Sequence, residues 1–149
     1  MSVKLDVQNR LNLVLPLLPG HAPALSEVLG QLSARQDNPL DSALTRLGNV
    51  HFAQFVPLEG GTRLGVFTIF DGSLEDYILS FVEHVGDVFN AILQHVDDGA
   101  QRLVKVQQHR DEFLQFIQAH NAPSLGLFSA YPNQRLFDIQ DALALEARR

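Results

Sequence analysis

The stretch Asn49–Val96 decides the fold and reads NVHFAQFVPL (49–58), EGG (59–61), TRLGVFTIF (62–70), DGS (71–73) and LEDYILSFVEHVGDVFNAILQHV (74–96). The first two long runs are rich in Val, Phe, Ile and Thr and flank Gly60-Gly61, a pattern typical of a β-hairpin. After Ser73 the apolar residues recur at steps of three and four, which indicates a long amphipathic helix. Asp71-Gly72 forms the turn before that helix, and Ser73 is a suitable N-cap.

Elements predicted on both sides of this stretch complete the order. They are a strand at Arg10–Leu18, a helix at His21–Arg35, a short helix at Asp41–Leu47, a helical region at Ala100–Ala119, a fourth strand at Ser124–Tyr131 and a final helix at Arg135–Arg149. The order predicts a single α+β domain over residues 1–149. Its expected architecture is ferredoxin-like, a split βαβ with a four-stranded antiparallel sheet and extra C-terminal helices.

The composition indicates a globular protein with a cytoplasmic location. Apolar residues make up 46% of the 149 residues and charged residues 19%, which argues against disorder. Cysteine is absent, so the sequence excludes disulfides and cysteine-based catalytic or metal sites. The net charge of −6 and the scattered Lys and Arg argue against nucleic-acid binding. No apolar run approaches the roughly 18 residues of a membrane span, so no membrane partner is expected.

Both faces of the predicted sheet are apolar. Along the third strand Leu64, Val66 and Phe70 share one face, whereas Phe67 and Ile69 share the other. A sheet with one solvated face would alternate apolar and polar residues, and the helices of one chain cover one face. We therefore expect a homodimer through the sheet, which would bury the second face. The alternative is that the C-terminal helix folds back over this face and leaves a monomer.

Four motifs carry a resemblance to a known family. They are Asn38-Pro39-Leu40, His51-Phe52-Ala53-Gln54-Phe55-Val56, Phe70-Asp71-Gly72-Ser73-Leu74-Glu75-Asp76-Tyr77 and Ser129-Ala130-Tyr131-Pro132. In this order they resemble a bacterial family of dimeric α+β barrel proteins with N-P-L, H-F-A-R followed by an aromatic residue, and a D-G turn before a long helix. The resemblance spans roughly Leu11 to Ile139 and implies a ferredoxin-like dimer without implying a reaction. Gln54 stands where the family usually has Arg, so an anion contact made by that Arg would be missing.

The architecture is more distantly similar to cofactor-free quinone-forming monooxygenases and to haem-binding barrels such as chlorite dismutase. This similarity implies oxidative chemistry and, where haem is bound, His84 as an axial ligand. The residues themselves predict no cofactor.

His51 is the first candidate for a catalytic or ligand-orienting residue. It is predicted on the second strand, near residues placed to line a cavity, which are Phe52, Gln54, Phe55, Phe67, Phe70 and Tyr131. A neutral imidazole there would act as a general base or orient a ligand. The alternative is a half-buried histidine bonded to backbone or to a strand neighbour. Asp71 is expected to serve only the turn or the helix entry.

The other histidines predict no metal site. His84 and His95, and likewise His109 and His120, are eleven residues apart. That spacing is a rise of roughly 16 Å along a helix, too far for ligands that must each lie ~2 Å from one ion.

Two classes of function stay open. The first is a small-molecule-binding protein, enzymatic or not, whose apolar cavity lies on the sheet face with His51 in its wall. The second is a non-catalytic dimeric module that serves as partner or regulatory domain of an oxidative enzyme. An enclosed cavity that His51 faces would favour the first class, and a packed face with His51 bonded to backbone would favour the second.

Overall fold

A computed structural model describes residues 7–33 and 39–149 and shows an α+β fold in which helices pack on a three-stranded antiparallel sheet. The strands are β1 (Gln8–Pro16), β2 (Val50–Leu58) and β3 (Arg63–Asp71), and the helices are α1 (Ala22–Ser33), α2 (Pro39–Leu47), α3 (Leu74–Leu93), α4 (Arg110–His120) and α5 (Leu136–Ala147). Short 3-10 turns lie at Glu59–Gly61, Ala100–Leu103 and Val106–Gln108. Arg35, the predicted end of the first helix, and Asn38 of the N-P-L motif lie outside the described residues.

The predicted hairpin is formed by β2 and β3, and the Gly60-Gly61 turn sets its register. Both glycines have positive φ, 68° and 85°, a conformation that glycine adopts without steric cost. Pairing with β3 is regular from Leu58 back to Phe52. A bulge then lies between Val50 and Phe52, which makes His51 an extra residue of β2. Bulges of this kind re-aim a side chain relative to the regular strand.

The hydrophobic core lies on the helix side of the sheet. Alternate residues of β1 and β3 are buried there, namely Leu11, Leu13, Leu15, Leu64, Val66 and Phe70. Phe70 on the central strand stacks on Tyr77 of α3, with ring centroids 4.1 Å apart. Edge-to-face contacts continue from Tyr77 through Phe81 and Phe89 to Phe113 of α4. These rings join the sheet to both α3 and α4.

The opposite side of the sheet, here called the open face, carries the remaining strand side chains. They are Gln8, Arg10, Asn12, Val14 and Pro16 of β1, Phe52, Gln54, Val56 and Leu58 of β2, and Arg63, Gly65, Phe67, Ile69 and Asp71 of β3. Phe52 is 74% exposed. The ring of Phe67 lies over Gly65, where a Cβ would approach it to 2.5 Å. This face therefore carries the predicted apolar side chains together with polar ones such as Arg10 and Asn12.

The predicted fourth strand at Ser124–Tyr131 is wrong, because this segment is irregular. Next to it, an isolated bridge joins Leu13 of β1 to Asn121. The hydroxyls of Ser124 and Ser129 bond to backbone groups two residues further on, and local bonds of this type compete with a strand ladder. The sheet consequently has three strands where four were predicted.

Other differences concern element ends. β1 ends at Pro16, two residues before the predicted end, because proline removes a ladder donor. The helical region predicted for Ala100–Ala119 is broken into 3-10 turns followed by α4. One cause is that the Val106 N–H donates to Asn90 Oδ1 of α3 and not to a helical carbonyl.

Candidate functional site

The chain after α4, residues 121–149 and here called the C-terminal arm, is tied to one end of the sheet. The side chain of Gln8 is buried at the start of β1. Its Nε2 donates to the carbonyl oxygens of Tyr131 and Gln134, at 2.8 and 2.9 Å. A glutamine that satisfies two backbone carbonyls in this way fixes the arm relative to β1.

Asp71, at the end of β3, joins His51 to the start of α5. His51 Nε2 lies 2.7 Å from Asp71 Oδ1, and the two side chains are only 6% and 9% exposed. Asp71 Oδ2 accepts a hydrogen bond from the backbone N–H of Leu136, the first residue of α5, at 2.7 Å. The N-terminus of a helix also favours a carboxylate electrostatically. Each carboxylate oxygen of Asp71 therefore has a partner, and these two contacts fix the position of the side chain.

This contact determines the tautomer of His51. An ionised carboxylate only accepts hydrogen bonds, so Nε2 carries the hydrogen and donates it to Asp71. In the neutral ring Nδ1 then keeps a free lone pair. Nδ1 has no hydrogen-bond partner in the described part of the chain. The fully buried side-chain atoms without a partner there are Asn49 Oδ1 and Thr68 Oγ1, so Nδ1 remains accessible.

His51 borders two pockets. The first, here called the apolar pocket, has a volume of about 410 Å³ and lies between the open face and the C-terminal arm. Its wall includes Gln8, His51, Phe52, Ile69, Leu127, Phe128, Tyr131, Leu136 and Ile139. The second has a volume of about 420 Å³ and lies between β2, α2 and α5. Both volumes fall within the range of roughly 300–1,000 Å³ that is typical of ligand sites.

Three of the site residues predicted from the sequence meet in the apolar pocket. They are His51, Phe52 and Tyr131. The alternative interpretation of His51, a bond to a strand neighbour, holds for Nε2, which contacts Asp71.

The other predicted cavity residues lie elsewhere. Phe70 is fully buried in the core, and Phe55 lines a groove between β2 and α1 on the helix side. Both were predicted near His51 because they are close to it in the hairpin. Successive side chains of a strand alternate between the two faces, so Phe55 and Phe70 lie on the face opposite Phe52. Phe67 lies on the open face over Gly65, outside the pocket wall, and Gln54 is exposed.

Sequence reasoning missed Asp71 as the partner of His51. The hairpin register alone could have indicated this neighbour. Regular pairing that starts with Leu58 opposite Arg63 would place His51 opposite Phe70, one residue from Asp71. The bulge that completes the contact has no signature in the sequence. Gln8 was missed as well, since no local pattern shows where the C-terminal arm returns.

Three other histidines, His21, His95 and His120, make close side-chain contacts within the protein. His95 Nδ1 lies 3.0 Å from His21 Nδ1, and His120 Nε2 lies 3.0 Å from Asp98 Oδ2. Within residues 7–33 and 39–149, no group of three His, Asp or Glu side chains could hold a metal ion.

The surroundings of His84 do not fit a haem. His84 is exposed on α3, and the small pocket beside it is lined in part by Arg46, Glu83, Asp87 and Gln107. A porphyrin ring needs a deep apolar slot. The axial-ligand role that the distant similarity implies for His84 therefore has no structural support.

Acidification is expected to destabilise the protein through the His21–His95 pair. Burial, together with the nearby imidazole of His21, lowers the pKa of His95. In the unfolded chain the pKa of His95 returns to the ordinary histidine value of about 6.5, so the unfolded chain binds a proton more readily than the folded one. The free energy of unfolding therefore falls as the pH drops from about 6.5 through the lower pKa of the folded state. Urea denaturation on both sides of this window measures the loss. His95→Asn should reduce it, whereas His84→Asn, at an exposed position, should leave it as in the wild type.

Comparisons with models of protein families, with curated proteins and with solved structures returned no match. In the described part of the chain, no helix combines the length and the apolar character needed to cross a bilayer. The site geometry is therefore the basis for assigning a function.

Proposed function

We propose that this protein is a homodimeric small-molecule-binding protein of the ferredoxin-like, dimeric α+β barrel type, and that its ligand occupies the apolar pocket beside His51. The supporting observation is a largely apolar wall that contains the oriented imidazole of His51 and few other polar side chains. Binding sites for small molecules typically combine apolar walls with a few fixed polar groups. The expected ligand is a small, largely apolar molecule with one hydrogen-bonding group.

The ferredoxin-like topology is supported by the strand order and by the path of the C-terminal arm. In the order β1-β3-β2, β1 is an edge strand, and its outer edge is where the fourth strand of a split βαβ sheet pairs. The arm follows that edge, since Asn121 bridges to Leu13 and the Ala122 N–H donates to the Asn12 carbonyl at 2.8 Å. We infer that this edge pairs more fully in the assembled dimer.

The homodimer is supported by the open face. Val14, Phe67 and Ile69 lie along its centre and are partly exposed, and monomers rarely expose an apolar patch larger than about 300–600 Å². The apolar pocket opens on the same side, where Phe52 and Phe128 are exposed. A second copy over this face would cover the patch and close the pocket.

A second candidate is a non-catalytic dimeric module that serves as partner or regulatory domain of an oxidative enzyme. It is favoured by exposed apolar side chains of the C-terminal arm, which include Leu125, Phe128, Phe137, Leu143 and Leu145. Beyond Ile139 all of α5 is exposed, and a 12-residue helix without packing is marginally stable in water. A partner protein would cover these side chains and would need no ligand in the pocket.

The neutral fluorescent probe N-phenyl-1-naphthylamine tests the small-molecule proposal. We expect saturable binding, with fluorescence enhancement, in the apolar pocket. Phe52→Ala should weaken it by about tenfold, because one aromatic contact of roughly 1.4 kcal/mol is lost. Phe137→Ala is the matched control, since Phe137 is also exposed but is not in the wall of either pocket.

Equal effects of these two substitutions, or fluorescence that rises without saturation, would count against a defined site. Absence of probe binding in a protein that is dimeric by sedimentation would favour the partner module.

A further inference from the structure

Resting on the small-molecule site proposed above, we propose that His51 is a general base and that the ligand is a neutral weak acid, a phenol or an enol on an apolar planar frame. The lone pair of His51 Nδ1 takes the hydroxyl proton. The O–H bond of the ligand breaks, an N–H bond forms on the imidazole, and the ligand stays in the pocket as its oxyanion. No electron transfer and no further reactant are involved.

The hydrogen-bond chain behind His51 suits this step. Nε2–H already donates to Asp71, so proton uptake at Nδ1 creates an imidazolium whose second N–H meets a carboxylate at 2.7 Å. The carboxylate is held in turn by the N–H of Leu136 at 2.7 Å. Charge-assisted bonds of this type are stronger than those between neutral groups, and burial of both side chains keeps water from weakening them. Asp71 is thus a positioning residue, and His51 is the group that touches the ligand.

The charges around the pockets indicate that the ligand is a neutral acid rather than a permanent anion. The described walls of both pockets contain no Lys or Arg. A carboxylate or phosphate would enter without a cation to replace its hydration, which is costly in an apolar site. A neutral hydroxyl compound enters without that cost and becomes charged only when His51 becomes its counter-ion.

The shape of the apolar pocket favours a flat, apolar frame. Phe52, Phe128 and Tyr131 contribute aromatic rings to its wall, and Ile69 and Ile139 contribute aliphatic surface. Aromatic walls favour offset stacking and edge contacts with planar ligands.

The test uses 4-nitrophenol, whose anion has a visible absorption band that the neutral form lacks. At a pH where the free probe is mostly neutral, the ratio of anion to neutral form should be roughly tenfold higher for the bound probe than in solution, as expected for a charge-assisted bond. His51→Gln should abolish this enrichment, since its amide can still donate to Asp71 but cannot take a proton. Asp71→Asn should reduce it severalfold. His84→Gln, an exposed histidine outside both pockets, should leave it unchanged.

N-Phenyl-1-naphthylamine titrations of each variant show separately whether the pocket is intact. Binding of 4-nitrophenol without enrichment, or enrichment that persists in His51→Gln, would overturn the general-base assignment. Binding of the neutral probe without binding of 4-nitrophenol would overturn the ligand class and leave the small-molecule site standing. If neither probe binds, both proposals are overturned.

Discussion

Replacing Phe70 with alanine is expected to lower the free energy of unfolding by about 3–5 kcal/mol. Phe70 is fully buried on the central strand, and its ring stacks on Tyr77 with centroids 4.1 Å apart. Truncation removes this contact and leaves a cavity under α3, which neighbouring side chains can fill only in part. Urea denaturation followed by far-UV circular dichroism measures the change.

Phe137→Ala is the matched control, because it removes the same atoms from an exposed position on α5. Its effect is expected to stay within about 0.5 kcal/mol, as for most surface substitutions. A loss below about 1 kcal/mol for Phe70→Ala would contradict the assignment of Phe70 to the core, since a fully buried phenylalanine costs more.

The elements that depend on local signals are the ones that the sequence predicts well. The hairpin follows from two β-rich runs around Gly60-Gly61, and both glycines adopt the positive φ that such a turn requires. Ser73 caps α3 as predicted, with its hydroxyl accepting the N–H of Asp76 at 3.1 Å. Turn residues, caps and helical periodicity act over a few residues, so no long-range contact is needed to recognise them.

The fourth strand shows where this reasoning fails. Ser124–Tyr131 has an apolar pattern that fits a strand. A strand forms, however, only if hydrogen bonds to a neighbouring strand are more favourable than hydrogen bonds within the segment. Here side-chain bonds of Ser124 and Ser129 to nearby backbone hold the segment irregular. Gln8 anchors the end of the segment through its side chain rather than through a ladder. None of these competing interactions is visible in the periodicity.

Of the His51–Asp71 pair at the candidate site, only His51 was predicted from the sequence. His51 stood out as a histidine within a strand of apolar residues, and the structure places it at the wall of an apolar pocket. Its partner Asp71 depends on a bulge at His51, and the support of Asp71 depends on the N–H of Leu136, far along the chain. A one-residue bulge and a long-range return of the chain are tertiary events, so residue patterns could supply one member of the pair only.

Sedimentation velocity of the full chain at low micromolar concentration is expected to show one species near twice the chain mass of 16.6 kDa. The central strand β3 places Phe67 in the middle of the open face, where it packs over Gly65. A two-fold interface that covers this face should be apolar at its centre and, if the dimer is obligate, bury roughly 2,000 Å² or more. A carboxylate at that centre would be desolvated and would meet its symmetry mate.

Phe67→Glu or Val14→Glu should therefore weaken dimerisation by about a hundredfold or more and give the monomer mass, because unpaired buried charges cost several kcal/mol. Ala24→Glu adds the same charge at an exposed position of α1 on the helix side, and it should leave the dimer intact. Circular dichroism of all three variants checks that the fold is kept. A wild-type species near 16.6 kDa would refute the dimer. The apolar pocket would then remain open to solvent beside Phe52 and Phe128, and a hydroxyl bound at His51 would compete with bulk water for Nδ1.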